Sequence, residues 1–241
     1  MKYMNRIELR LRTIFNKVRD LSLPPLARQV RKKNLTYLNA PAFHRIRESI
    51  EQIRKKEVPG DFVEFGMALG GSAIYLASEA GDRGFRGYDM FGLIPPPTDQ
   101  DDEKSKNRYE LISSGKSTGI GGELYYGYQE NLFEKVSNSF TEFGYPVDGK
   151  KISLYKGLFE ETLAFSPGDK VALAHLDCDW YNSVKFCLET TDPVLSVGGI
   201  MILDDYNFYG GCRKATDEFV ANNKNYVFVH TKPSAGIMKI S

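Results

Sequence analysis

Val171-Ala172-Leu173-Ala174-His175-Leu176-Asp177-Cys178-Asp179 is an apolar run that ends on two carboxylates. The pattern returns in Ile200-Met201-Ile202-Leu203-Asp204-Asp205. Short, nearly continuous apolar runs read as strands buried on both faces, as in a parallel sheet. A carboxylate at the end of such a strand is costly unless it meets a cation, a hydrogen-bond donor or a ligand. In open α/β sheets that end is where ligands bind. Four carboxylates converging there, Asp177, Asp179, Asp204 and Asp205, point to a hard-metal and proton-transfer site, because Mg²⁺ and Ca²⁺ take oxygen ligands. The competing reading is that they cap the helices that follow. Capping accounts for one Asp per helix and leaves the second Asp of each pair unexplained.

Working outward, strand and helix alternate. Residues 61–65 read as a first strand, followed by a glycine-rich turn over 66–72 and a helix over 73–80. Further strands are expected at 85–89, 151–156, 171–177 and 199–204, with helices near 160–164, 183–191 and 211–223. This alternation predicts an α/β fold with helices on both faces of a mostly parallel, seven-stranded sheet. Residues 226–231 and 236–240 are joined too tightly for a crossover, so they form a terminal antiparallel hairpin. Ahead of the sheet, Pro24-Pro25 breaks a first helix. Phe43, Ile46, Ile50 and Ile53 mark an amphipathic helix over 42–56 that ends at Pro59-Gly60. The division expected is a helical arm and cap over 1–58 and a ligand-binding domain over 59–241.

Residues 92–125 differ from their surroundings. They hold Pro95-Pro96-Pro97, the acidic cluster Asp99, Asp101, Asp102 and Glu103, and the glycines Gly115, Gly119, Gly121 and Gly122. A loop of this length inside a compact domain reads as an unstructured lid over the site.

The 241 residues are 41% apolar and 26% charged, which suits one large globular domain. No apolar run reaches the roughly 18 residues that span a bilayer, and the first residues carry charge without a secretory h-region. Three cysteines without CxxC spacing predict a reducing, cytoplasmic setting and neither a disulfide framework nor a zinc site. Charge is uneven: residues 1–33 hold ten Lys/Arg against Glu8 and Asp20, and the remainder holds 22 basic and 29 acidic residues. Ile7, Leu11, Ile14, Phe15 and Val18 recur through the arm at helical spacing. Its apolar stripe is expected to pack on its own domain or on a second subunit of a homodimer; contact with an anionic membrane is the less favoured alternative. Nucleic acid is not an expected partner, because the body lacks a basic surface signal.

Val63-Glu64-Phe65-Gly66-Met67-Ala68-Leu69-Gly70-Gly71-Ser72 joins strand, turn and helix start. Glycines admit a ligand to the backbone, and a helix N-terminus offers it free N–H groups. Ala68 departs from the dinucleotide GxGxxG at its second glycine. Glu64, buried beside the turn, implies either a cationic neighbour or a hydrogen bond to a turn amide. Asp89 ends the second strand, where an acidic residue binds ribose hydroxyls. Gly157 and Phe159 follow the third strand, where they could lie against an adenine.

Together these pieces resemble a Rossmann-like class I S-adenosylmethionine-dependent methyltransferase. The segments Leu35-Thr36-Tyr37-Leu38, Val58-Pro59-Gly60-Asp61, His175-Leu176-Asp177-Cys178-Asp179-Trp180-Tyr181, Asp204-Asp205-Tyr206 and Arg213-Lys214-Ala215-Thr216-Asp217-Glu218-Phe219 narrow the likeness to the macrocin O-methyltransferase family, which methylates sugars in antibiotic biosynthesis. The resemblance implies Mg²⁺ ligands at Asp177, Asp204 and Asp205, with Asp179 as general base and Asp177 beside it in the catalytic set. It also implies that Glu64, Gly66, Gly70, Ser72, Asp89, Gly157 and Phe159 hold S-adenosylmethionine. The acceptor implied is a small hydroxylated, sugar-like vicinal diol. The lid start, Asp89-Met90-Phe91-Gly92-Leu93-Ile94-Pro95, departs from the family's usual Asp-Ser-Phe-x-Gly-Leu-Pro. Trp180 and Tyr181 are read as packing beneath the next helix, and His175 as a core histidine. The rival readings are a catechol-type Mg²⁺ methyltransferase, a binding protein without turnover, and a dehydrogenase weakened by Ala68.

Overall fold

The computed structural model describes residues 21–241. The amphipathic stretch from Ile7 to Val18, and the subunit or membrane contact expected of it, lie outside the described residues. Seven strands form one sheet: β1 (Asp61–Phe65), β2 (Phe85–Asp89), β3 (Ile152–Lys156), β4 (Val171–Leu176), β5 (Leu195–Leu203), β6 (Tyr226–His230) and β7 (Ala235–Lys239). Their order is β3-β2-β1-β4-β5-β7-β6. The first five run parallel, and β7 is antiparallel to both β5 and β6. The chain winds outward one way from β1 and the other way from β4. The crevice at the carboxyl ends of these two strands is therefore the switch point where ligands bind.

Side chains alternate across the sheet, and both faces are covered. One core packs Phe43, Ile46 and Ile50 of α2 (Ala40–Lys55), Ile74 of α3 (Gly71–Glu79) and Phe140 of α5 (Leu132–Glu142) on Phe62, Leu173, Ile200 and Ile202; α1 (Pro25–Lys32) adds Ala27 and Val30 to it. The other packs Val184 and Leu188 of α7 (Tyr181–Thr191) and Ala215 of α8 (Gly210–Asn222) on Val63, Phe65, Ala174, Leu176, Met201 and Leu203. A short helix, α6 (Phe159–Thr162), follows β3.

The expected strands and hairpin stand at their places. β5 starts four residues earlier than the apolar run suggests, because the backbone passes Gly198 at φ +84° before the buried stretch begins. Three helices are additions. Pro24-Pro25 opens α1 instead of only breaking a helix, since Pro25 occupies the first helical position, where a missing N–H costs nothing. The stretch read as an unstructured lid contains α4 (Glu103–Ser113), begun by the Asp102 side chain accepting from Ser105 N at 2.9 Å. In α5, Leu132, Val136 and Phe140 recur every four residues and are buried. No helix among the described residues is long and apolar enough to cross a membrane.

Candidate active site

β1 and β4 meet closely at their carboxyl ends. Gly66 adopts φ +85°, and a Cβ there would lie 1.9 Å from the Asp177 carbonyl oxygen. Only glycine lets the turn and the Asp177 strand end touch. Asp177 N donates to Phe65 O at 2.8 Å, and Gly66 N to Tyr88 O at 2.9 Å. Asp89, at the end of β2, braces the turn from beneath. Its Oδ2 accepts from Met67 N at 2.6 Å and Ala68 N at 2.9 Å, and its Oδ1 from Phe91 N at 2.5 Å. Ala68 is held at φ +47°, a conformation glycine would adopt without strain.

One oxygen from each of Asp177, Asp204 and Asp205 lies within 4.8 Å of the others. Asp205 Oδ2 is buried without a partner. Burial pushes all three carboxyls up. Mutual charge adds to this for Asp177 and Asp205, and Glu64 adds to it for Asp204, where His175 opposes. Asp179, at φ +59°, is pushed up to about 7, chiefly by burial and against the pull of Arg108. Three crowded carboxylates with an unpartnered buried oxygen fit a small divalent cation, whose all-oxygen preference they match. They do not serve as helix caps. The N-termini of α7 and α8 are met instead by the lid: Asp101 Oδ1 accepts from Tyr181 N and Asp102 Oδ2 from Gly210 N, each at 2.8 Å.

A cavity of about 970 Å³ joins these groups. Gly66, Asp89, Gly157, Phe159, Asp177, Asp179, Asp204 and Asp205 all line it. Glu64, Gly70 and Ser72 do not. Glu64 is fully buried and its Oε1 lies 2.7 Å from His175 Nδ1, across the β1–β4 pair. Burial alone would depress His175, but the hydrogen bond and charge of Glu64, with Asp204 nearby, hold it above its usual value. Gly70 precedes α3 at φ +83° and faces Val136; Ser72 is buried in the first turn of that helix.

The opposite wall comes from residues the sequence did not single out. Lys104 and Arg108 of α4, with Tyr125, Tyr126, Phe208 and Tyr209, line the cavity. The Arg108 guanidinium sits 5.5 Å from the Tyr125 ring centroid and donates to Ser117 Oγ at 2.9 Å. Trp180 packs with Val184 and Leu188 of α7, as expected, and has a second role. It lines the cavity, donates from Nε1 to Pro95 O of the lid at 2.9 Å and meets Tyr209 edge-on. Tyr181 packs as expected, with its hydroxyl on Glu218 at 2.6 Å. The signal for the missed wall lay in α4: Asp102 and Ser105 mark a helix start three residues apart, which carries Lys104 and Arg108 on its first turns.

Comparison with known proteins bears on this geometry. The family model for macrocin-O-methyltransferase (TylF) matches residues 31–228. The demethyldecarbamoylnovobiocin O-methyltransferase of Streptomyces niveus is 29% identical over 191 residues, which cover 77% of this chain and 68% of that one. The 8-demethyl-8-(2,3-dimethoxy-alpha-L-rhamnosyl)-tetracenomycin-C 4'-O-methyltransferase of Streptomyces olivaceus is 28% identical over 173 residues, 70% of this chain and 61% of that one. Among solved structures, the O-methyltransferase NovP superposes with a TM-score of 0.70 at 24% identity, covering 86% of this chain and 82% of NovP, which establishes the common fold.

Proposed function

The chain belongs to the macrocin O-methyltransferase family, and from that premise we propose that it transfers the methyl group of S-adenosylmethionine to one hydroxyl of a vicinal diol on a small, sugar-like acceptor, with Mg²⁺ at Asp177, Asp204 and Asp205. The observation that carries this reading is the placement of the three carboxylates, within 4.8 Å of one another, on the same cavity as the glycine turn. The tetracenomycin relative's name carries a rhamnosyl group, which supports a sugar acceptor.

S-adenosylmethionine, when bound, supplies an electrophilic methyl; transfer forms the O–CH₃ bond, breaks the S–CH₃ bond and leaves S-adenosylhomocysteine. Mg²⁺, when bound, supplies Lewis acidity and a template for two neighbouring oxygens. The remaining work falls to the protein. Asp179 takes the acceptor's proton: it lines the cavity with the three proposed ligands, and burial raises its carboxyl's affinity for a proton. Gly66, Asp89, Gly157 and Phe159 form the donor side. Of about four acceptor positions on a carboxylate, Asp89 gives three to backbone amides and keeps one for a ribose hydroxyl. Glu64, Gly70 and Ser72 act from behind the wall, by holding the turn. Arg108, Tyr125 and Tyr126 close the site from the lid and keep water off the line of transfer. Three free cysteines suit a cytoplasmic enzyme.

The test is an incubation with S-adenosylmethionine, a panel of glycosides bearing vicinal hydroxyls and a panel of catechols, with Mg²⁺ or EDTA. Glycoside methylation that EDTA abolishes and Mg²⁺ restores is the expected result. Methylation of catechols alone would reassign the acceptor, and turnover indifferent to EDTA would remove the metal.

A further inference from the structure

The lid's acidic cluster has no part in the chemistry above, yet two of its members are among the most fully engaged side chains near the site. Asp101 is 5% exposed. Its Oδ2 accepts from Thr98 N at 2.8 Å and its Oδ1 from Tyr181 N at 2.8 Å. Asp102 accepts on Oδ1 from Ser105 N at 2.9 Å and Ser105 Oγ at 2.7 Å, and on Oδ2 from Gly210 N at 2.8 Å. Tyr181 and Gly210 are the first residues of α7 and α8. α7 follows directly on the strand end that carries Asp177 to Asp179, and α8 follows the short 3-10 turn that carries Asp204 and Asp205. A helix start offers unpaired N–H groups and partial positive charge, so a carboxylate docks there firmly.

The docking is tight. A Cβ on Gly211 would lie 1.9 Å from Asp101 Oδ1, and one on Gly210 would lie 2.7 Å from Asp102 Oδ2. Gly210-Gly211 therefore serves to admit the lid, since neither residue has a positive φ that would demand glycine. Lys104 reinforces the junction by donating to Phe208 O at 2.7 Å.

We infer that Asp101 and Asp102 are positioning residues: one lid dipeptide ties both carboxylate-bearing strand ends together and so sets the spacing of the cation site. Neither residue lines the cavity. The inference rests on the metal reading for one of its two readouts and is independent of it for the other. Full-length D101A, D101N, G211A and the double variant D101A/G211A are compared with the wild type. Mn²⁺ and S-adenosylhomocysteine affinities are read by calorimetry, and hydrogen exchange is followed at Tyr181 and over residues 98–113. D101A and G211A are expected to weaken Mn²⁺ about tenfold, as loss of a ligand-orienting contact does, to speed exchange, and to leave S-adenosylhomocysteine affinity unchanged. D101N keeps one acceptor oxygen and falls between. The double variant loses less than the sum of the single ones, because both act on the Asp101 contact, while the Gly211 Cβ keeps its own contact with Tyr181 N at 2.9 Å.

Unchanged Mn²⁺ affinity with unchanged exchange in D101A overturns the inference, as do additive losses or a parallel fall in S-adenosylhomocysteine affinity. A wild type that binds no Mn²⁺ refutes the metal reading instead, and exchange alone then decides the latch. Should D101A fail to fold, D101N decides, because it keeps the side-chain shape and one acceptor oxygen, whereas a Cβ at Gly211 also presses on Tyr181 N at 2.9 Å.

Discussion

Two sets of aspartates lie close together in this molecule and behave in opposite ways. Asp101 and Asp102 in the lid have amide or hydroxyl donors on every oxygen, and those hydrogen bonds outweigh burial and hold the Asp102 carboxyl below its ordinary value. Asp177, Asp179, Asp204 and Asp205 at the strand ends face one another, and their carboxyls are all pushed up. Residue type is the same in both. What differs is the supply of donors: the lid carboxylates cap the starts of three helices, α4, α7 and α8, and the strand-end carboxylates chiefly face one another, with Asp205 Oδ2 buried and unpartnered.

That contrast can be broken by substitution, beginning with the strand ends. Asp204→Asn should lower turnover about 10²- to 10³-fold, the usual cost of losing one electrostatic stabiliser of a transition state, while calorimetry finds S-adenosylhomocysteine affinity little changed. Equal losses in both would place Asp204 in the donor site. Asp179→Asn should lower turnover about 10²-fold, the lower end for a lost general base.

The same variant should stabilise the metal-free protein. Asp179 has a folded value near 7, well above that of an unfolded Asp, so the native state binds the proton more tightly and stability falls as pH rises from about 4 to about 7. Thermal melts in EDTA should therefore show Asp179→Asn gaining on the wild type across that window, then holding a steady lead of a few degrees above it. A lead that shrinks with rising pH would mean the carboxylate is stabilised where it lies.

Lid substitutions should act on stability. Asp102→Ala removes caps from α4 and α8 and should cost about 1–2 kcal/mol in a denaturant titration. Asp99 sharpens the comparison from within the same cluster. Its side chain is fully exposed and reaches Lys106 only at 3.7 Å, so Asp99→Ala should leave the melting temperature within about 1 °C of wild type. A larger shift would mean that charge in the cluster matters apart from capping.

β4 and β5 were legible as short apolar runs, the first three strands from their alternation with turns and helices, and the hairpin because its connection leaves no room for a crossover. The carboxylate cluster was legible for the same reason, since a strand end in a parallel sheet has a known destination. The lid wall was not. Arg108, Tyr125 and Tyr126 reach the cavity through α4 and the turns after it, whose helix makes little use of apolar periodicity, with Ser105 and Ile112 its buried residues. The sequence offers Glu64 either a cationic neighbour or a turn amide; its partner is the His175 ring instead, a choice set by the β1–β4 register, which pairs the two residues directly. The sequence reads Trp180 only as packing under the next helix; it is buried in the core with Val184 and Leu188 and also lines the cavity, a dual placement its residue type does not announce.

The buried Glu64–His175 pair has a consequence for how this chain can drift. Neither side chain touches solvent, so an exchange at one position would strand an ionisable partner in the protein interior. Across natural variants, positions 64 and 175 should change together or stay fixed together, linking the donor-turn strand to the cation-site strand in inheritance as they are linked in the sheet.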